Sequence, residues 1–244
     1  MFDHVDIRVT DMATSRRFYE IVFAPLGFRI TEEAEDIIEW DEFSIVPVEE
    51  GAVVSTGLHI GFVAGTAAVA DAFWRAGVDA GYVSDGEPGP RPEYGADYYG
   101  AFLLDPDGNS VEAVHHDTVS RDVQIDHVWL RVADVEASAA FYQLIAPFSG
   151  YARGRDLPDR VQFEAPTGSF SVLSDDRPAA RNIHVAFPSP YPGAVAEFHA
   201  AATGAGYRDN GPPGERPQYH PGYEGAFVLD PDGNNIEVVD HHRT

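Results

Sequence analysis

The sequence predicts an α+β fold of four strand-helix-strand-strand-strand (βαβββ) modules, paired into two tandem domains over residues 1–119 and 123–244. Three observations predict it. The chain is internally repeated, each half alternates strand and helix patterns in the same order, and 244 residues suffice for two domains. Asp3-His4-Val5, Arg8-Val9, Asp11, Ser15 and Phe18-Tyr19 return 123 positions later as Asp126-His127-Val128, Arg131-Val132, Asp134, Ser138 and Phe141-Tyr142. Further on the shift is 125, where His59, Arg91-Pro92, Tyr94, Phe102 and Asp105-Pro106-Asp107-Gly108-Asn109 match His184, Arg216-Pro217, Tyr219, Phe227 and Asp230-Pro231-Asp232-Gly233-Asn234. The junction is the short polar stretch from Thr118 to Val123.

Each element follows from local pattern. From His4 to Val9 the chain alternates, with Val5, Ile7 and Val9 on one face and His4, Asp6 and Arg8 on the other, as in a half-buried strand. Asp11 then suits a helix N-cap, Phe18, Tyr19 and Val22 recur at helical spacing, and Gly27 suits the helix end. Short strands are expected at Arg29 to Ala34, Ile37 to Trp40 and Phe43 to Val48. A second strand begins at Leu58, a second helix runs from about Thr66 to Ala76 with Gly77 as its stop, and further strands lead to Val114. The second half repeats the scheme, with strands at His127 to Val132 and Ile183 to Phe187 and helices near Asp134 to Ile145 and Gly193 to Thr203. The Asp-Pro-Asp-Gly-Asn segments read as turns, with proline presetting one dihedral and glycine supplying a positive one.

Composition excludes several functions. With no cysteine there is no disulfide, thiolate ligand or cysteine nucleophile, so any metal rests on His, Asp or Glu. Forty acidic against 16 basic residues give a formal charge of -24, which repels phosphate backbones and anionic membranes and makes nucleic acid an unsuitable partner. The apolar content of 44% supports packed cores, no apolar run is long enough to span a bilayer, and the N-terminus lacks a secretion signal. A soluble cytoplasmic protein is expected, as a monomeric pseudo-dimer or a homodimer acting on a small molecule.

Alternation also places the polar residues. In Leu58-His59-Ile60-Gly61-Phe62 the apolar row leaves His59 opposite, Glu112 lies opposite Val111 and Ala113, and His4 opposite Val5. The second half independently leaves His127, His184 and Glu237 on its open face. If paired sheets curl together, two clusters follow, His4/His59/Glu112 and His127/His184/Glu237, one per domain. Two imidazoles and a carboxylate suit Fe(II), Mn(II), Ni(II) or Zn(II) with coordination positions left open. A lone histidine at a strand start is ordinarily a satisfied polar residue, and it is the recurrence of the triple that favours a metal.

These residues, in this order, resemble the vicinal oxygen chelate superfamily of glyoxalases, type I extradiol dioxygenases, and fosfomycin and bleomycin resistance proteins. The resemblance rests on Asp3-His4-Val5 with Phe18-Tyr19, Leu58-His59-Ile60-Gly61-Phe62, and Phe102-Leu103-Leu104-Asp105-Pro106-Asp107-Gly108-Asn109 leading to Glu112. In the second half it rests on Arg216-Pro217-Gln218-Tyr219-His220-Pro221-Gly222-Tyr223 before the turn that leads to Glu237. It implies a curved mixed sheet in each domain cupping a divalent metal, whose open positions hold two adjacent substrate oxygens. The glyoxalase pattern implies a further Glu from the last strand of the first module in each pair, which neither Phe43-Ser44-Ile45-Val46-Pro47 nor Ser169-Phe170-Ser171-Val172-Leu173 contains. The three-ligand extradiol pattern fits better, but it implies a tyrosine where Phe102 and Phe227 stand. His220 falls where that family's acid-base histidine is expected, with Tyr223 nearby, whereas the first half has Glu93-Tyr94-Gly95. The resemblance therefore implies a metal-dependent lyase, isomerase or dioxygenase in which His220 and Tyr223 are catalytic. The alternative is a metal-free binding protein of the bleomycin resistance type, and in a third reading one domain is only scaffold. Tyr98 and Tyr99 are further candidates to line the pocket, and the pairs His115-His116 and His241-His242 read as solvated strand ends.

Overall fold

The computed structural model describes residues 1–242 and contains four βαβββ modules. The first has β1 (His4–Val9), α1 (Met12–Phe23), β2 (Glu32–Glu33), β3 (Ile38–Trp40) and β4 (Phe43–Pro47). The second has β5 (Leu58–Val63), α2 (Ala67–Asp79), β6 (Ser84–Pro90), β7 (Tyr99–Leu104) and β8 (Ser110–His115). The third has β9 (Ile125–Arg131), α3 (Val135–Ser149), β10 (Ala152–Leu157), β11 (Arg160–Ala165) and β12 (Gly168–Leu173). The fourth has β13 (Ile183–Pro188), α4 (Ala194–Gly204), β14 (Asp209–Glu215), β15 (Glu224–Leu229) and β16 (Asn235–Asp240). Among these residues no helix is long and apolar enough to cross a membrane.

The helices start where their caps dictate. Asp11 accepts from the Thr14 amide at 2.6 Å and Asp134 from the Ala137 amide at 3.0 Å, satisfying donors that a first turn leaves free. α2 runs past its expected stop at Gly77, because Gly77 is an interior position where a Cβ would strike Leu103 of β7. The positive φ that ends this segment belongs to Gly81. The strand expected over Arg29 to Ala34 shrinks to Glu32–Glu33, an exposed edge with a single partner strand.

The modules do not pair within their own halves. One eight-stranded sheet runs β14-β15-β16-β13-β1-β4-β3-β2 and joins the first module to the fourth. The other runs β10-β11-β12-β9-β5-β8-β7-β6 and joins the second to the third. The expected division into sheets within 1–119 and within 123–244 is thus corrected. Each seam is an antiparallel pair of first strands, β1 with β13 and β5 with β9. All four first strands offer the same edge, and alternation fixes which face a side chain takes but not which edge becomes the neighbour.

The apolar faces share one continuous core. Phe23 of α1 packs on Trp40 and Phe43 of its own sheet and also on Phe62 of the other, with centroids 4.7 to 5.9 Å apart. The Asp-Pro-Asp-Gly-Asn turns clamp modules together. Buried Asp105 accepts the Tyr19 hydroxyl at 3.0 Å and Asp230 accepts that of Tyr142 at 3.0 Å, while Asp107 accepts from the Thr10 amide. Burial pushes the Asp105 pKa up to about 6, against hydrogen bonds from Asn109 and Tyr19 that lower it.

Candidate metal centres

The pleat delivers all six expected residues to the concave faces, but the cross-paired sheets exchange their partners. His59, Glu112 and His127 form one cluster, and His4, His184 and Glu237 form the other. The expected groupings His4/His59/Glu112 and His127/His184/Glu237 are therefore corrected: each cluster takes one histidine from one half and a histidine and glutamate from the other. The seam register is the cause, since it sets His127 opposite Gly61 and Asp6 opposite His184.

In the first cluster the His59 and His127 Nε2 atoms are 3.0 Å apart, and Glu112 Oε2 lies 3.1 Å from one and 3.2 Å from the other. In the second, His4 and His184 Nε2 are 3.1 Å apart, with Glu237 Oε2 at 3.1 Å from His184 and 3.6 Å from His4. Ligand bonds of about 2.1 Å at right angles put neighbouring donor atoms about 3.0 Å apart, so three such atoms fit one face of a six-coordinate ion.

Hydrogen bonds behind the rings orient the lone pairs. His127 Nδ1–H donates to Asp126 at 2.9 Å and His4 Nδ1–H to Asp3 at 2.9 Å. Ser110 spends its hydroxyl hydrogen on Asp85 at 2.7 Å, so its oxygen accepts from His59 Nδ1–H at 3.0 Å. With the protons on Nδ1, the Nε2 lone pairs of His127, His4 and His59 face inward together with a carboxylate oxygen, the tautomer a cation needs, whereas His184 Nδ1 accepts from the Asn235 side-chain amide at 2.7 Å. Tyr98 donates to Glu112 Oε1 at 2.9 Å and Tyr223 to Glu237 Oε1 at 2.7 Å, leaving each Oε2 for the cluster. Glycines make room: a Cβ at Gly61 would strike the His127 ring, and one at Gly100 or Gly225 would strike Oε1 of Glu112 or Glu237.

The three groups of the first cluster share a proton. Burial lowers the His127 pKa, but its bonds to Asp126 and Glu112 outweigh burial and raise it to about 10. Burial raises Glu112, yet hydrogen bonds from His127 and His59 hold it at about 2. His59 is lowered, chiefly by burial, so the charge resides on His127.

His220 and Tyr223, the expected catalytic pair, are not at the cluster on equal terms. Tyr223 touches Glu237 directly. His220 Nε2 instead meets His241 Nδ1 at 2.8 Å, His241 Nε2 meets Asp3 at 2.8 Å, and Asp3 holds His4. His241 and His116, expected as solvated ends, are thus tied to the groups behind the cluster histidines, His116 through Asp126 at 3.1 Å. The recurring Asp-His pair, Asp3-His4 and Asp126-His127, was the sequence signal for this outer tier. His115 bonds the Ala64 carbonyl and His242 bonds Glu224. Tyr99 points to Asp71 of α2 at 2.6 Å, away from the clusters, whereas Tyr98 lines the cavity beside His127.

Residues 1–113 match the family model described as Glyoxalase/Bleomycin resistance protein/Dioxygenase superfamily. No curated protein matches the chain. Among solved structures, glyoxalase I from Zea mays is similar over 98% of this chain and 92% of its own, at 20% identity and a TM-score of 0.67. A putative dioxygenase from Bacillus subtilis subsp. subtilis str. 168 is similar over 98% and 84%, at 15% identity and a TM-score of 0.66. The first half therefore carries the match to the glyoxalase/bleomycin resistance protein/dioxygenase superfamily, and the second half repeats its motifs on the same βαβββ architecture.

Proposed function

We propose that the protein is a divalent-metal-dependent lyase, isomerase or dioxygenase acting on a small molecule held through two adjacent oxygens. The observation that carries this reading is the convergence, twice, of two inward Nε2 atoms and one glutamate oxygen at separations a single ion can span. The resemblance to the structures of glyoxalase I from Zea mays and the putative dioxygenase from Bacillus subtilis supports the same kind of chemistry. A bound divalent cation polarises substrate oxygens and lowers the pKa of a coordinated hydroxyl.

The chain's own groups do the rest. Asp126 and Asp3 fix the imidazole tautomers of His127 and His4, and Tyr98 and Tyr223 hold Glu112 and Glu237 with one oxygen inward. In the second cup the row His220, His241, Asp3 connects the half-buried His220 imidazole to the back of His4, a path by which protons pass between His220 and His4. Tyr223 positions the carboxylate. The test is elemental analysis of tag-free protein, alongside Glu112→Gln and Glu237→Gln. Two ions per chain falling to one in each variant is expected. Metal-free protein that binds a planar ligand at micromolar affinity would replace this reading with a binding protein.

A further inference from the structure

The two cups share ligands but not walls. Register aligns Asp6 of β1 with Trp129 of β9, since each stands opposite the histidine of the seam strand, His184 or His59. Glu39 of β3 aligns in the same way with Gln162 of β11, because each stands opposite a serine, Ser44 or Ser171, that neighbours Asp6 or Trp129. The residue before Ile38 is Ile37, while the one before the aligned Val161 is Arg160. One cup therefore carries Asp6, 3.9 Å from His184 Nε2, and Glu39, whose carboxyl is pushed up by burial. The other carries an indole, an amide and a guanidinium at the same places.

Those three residues line a cavity of about 530 Å³ that reaches His127. Trp129 lies tilted against His59, with centroids 4.8 Å apart, and Tyr94 meets Trp129 edge-on at 5.4 Å. The Arg160 guanidinium lies over the indole, 5.0 Å from its centroid, and among the described residues it has no hydrogen-bonding or ion-pairing carboxylate. A second cation of the same cavity, Arg155, is exposed. Of the cavity's carboxylates, Asp126 is held by two histidines and Asp97 accepts the Asp117 amide. Glu93 and Glu164 are exposed, where solvent and salt screen them, whereas Arg160 is half-buried on an aromatic face.

We infer that the His59/Glu112/His127 cup selects a planar, negatively charged substrate, an aryl or enol carboxylate, with its flat face on Trp129 and its anionic group at Arg160, and that the His4/His184/Glu237 cup rejects it. Guanidinium forks bind carboxylates well, and a ring between indole and Tyr94 gains stacking, whereas Asp6 and Glu39 repel an anion from the other cup. The inference deepens the proposed function and rests on it only for chelation of the substrate oxygens.

Titration calorimetry with 2,3-dihydroxybenzoate and with catechol, on metal-free and zinc-loaded protein, tests it. Expected are one equivalent of 2,3-dihydroxybenzoate per chain and at least tenfold tighter binding than catechol. Arg160→Gln and, independently, Gln162→Glu, which installs the carboxylate the other cup carries, bring that preference below threefold while zinc content stays at the wild-type value. Equal affinities, two equivalents per chain, no binding of either probe, or an undiminished preference in both variants overturns it. If zinc fails to bind but the carboxylate preference persists in metal-free protein, the metal reading falls and this one stands. Zinc binding without the preference gives the reverse.

Discussion

Replacing Gly61 with alanine moves a single proposed ligand by a calculable distance. The added Cβ would strike Cε1 of His127 and stand 2.6 Å from Nδ1 and 2.8 Å from Nε2, where ordinary contact begins at 3.4 Å. The imidazole must therefore retreat by roughly 1 Å, set by the Cε1 contact, against a tolerance of about 0.2 Å in metal-ligand distance. The retreat also strains the 2.9 Å bond from His127 to Asp126, and loss of such outer contacts alone typically costs about 10- to 100-fold in metal affinity. Overpacking adds a fold penalty of about 1–3 kcal/mol. The other cup supplies an internal control, because the residue opposite His4 is already Ala186. The assay is elemental analysis after dialysis, with a denaturant melt of the metal-free protein. Gly61→Ala should hold one ion per chain instead of two and remain folded, and Ala186→Gly should keep both. Two ions held at wild-type affinity by Gly61→Ala would refute the ligand geometry of the buried cup.

Further outcomes follow from the same contacts. Tyr98→Phe removes the donor to Glu112 Oε1 and leaves a buried carboxylate oxygen underserved; a destabilisation of about 1.5–3 kcal/mol is expected in urea melts, together with weaker metal binding in that cup alone. Removing metal with a chelator should lower the melting temperature, since an ion at 100 times its Kd contributes about 2.7 kcal/mol to the folded state. Glu112 titrates at about 2 rather than 4.5, so its contribution is complete above pH 4.5 and is lost as pH falls toward 2. His127 titrates at about 10 rather than 6.5, so its contribution is complete below pH 6.5 and is lost as pH rises toward 10. Metal-free protein should therefore show its highest urea midpoint between about pH 4.5 and 6.5, and a midpoint still climbing at pH 9 would contradict the proton-sharing arrangement. Because a cation takes the place of that shared proton, metal binding at pH 7 should release protons, seen as calorimetric heats that vary with buffer ionisation enthalpy. His220→Ala should leave metal content intact, because His220 reaches the cup only through His241 and Asp3.

By itself the sequence determined the modules and the faces. Alternation in His4 to Val9 and Leu58 to Phe62, caps at Asp11 and Asp134, and turns at Gly108 and Gly233 are local, and the structure keeps each of them. Period-two geometry likewise sent the six histidines and glutamates to the open side, since a strand residue's face depends only on its own parity. What the tertiary structure decided was company. Four equivalent strand edges gave no local reason for β1 to choose β13, so which histidine joins which glutamate was settled only by long-range pairing. The outer tier was hidden for a related reason: His116 and His241 sit past the last residue of regular alternation, and only the folded chain carries them to Asp126 and Asp3. The difference between the cups was visible as Asp6 and Trp129 in the sequence, but their equivalence is a matter of register, which exists only once strands are paired.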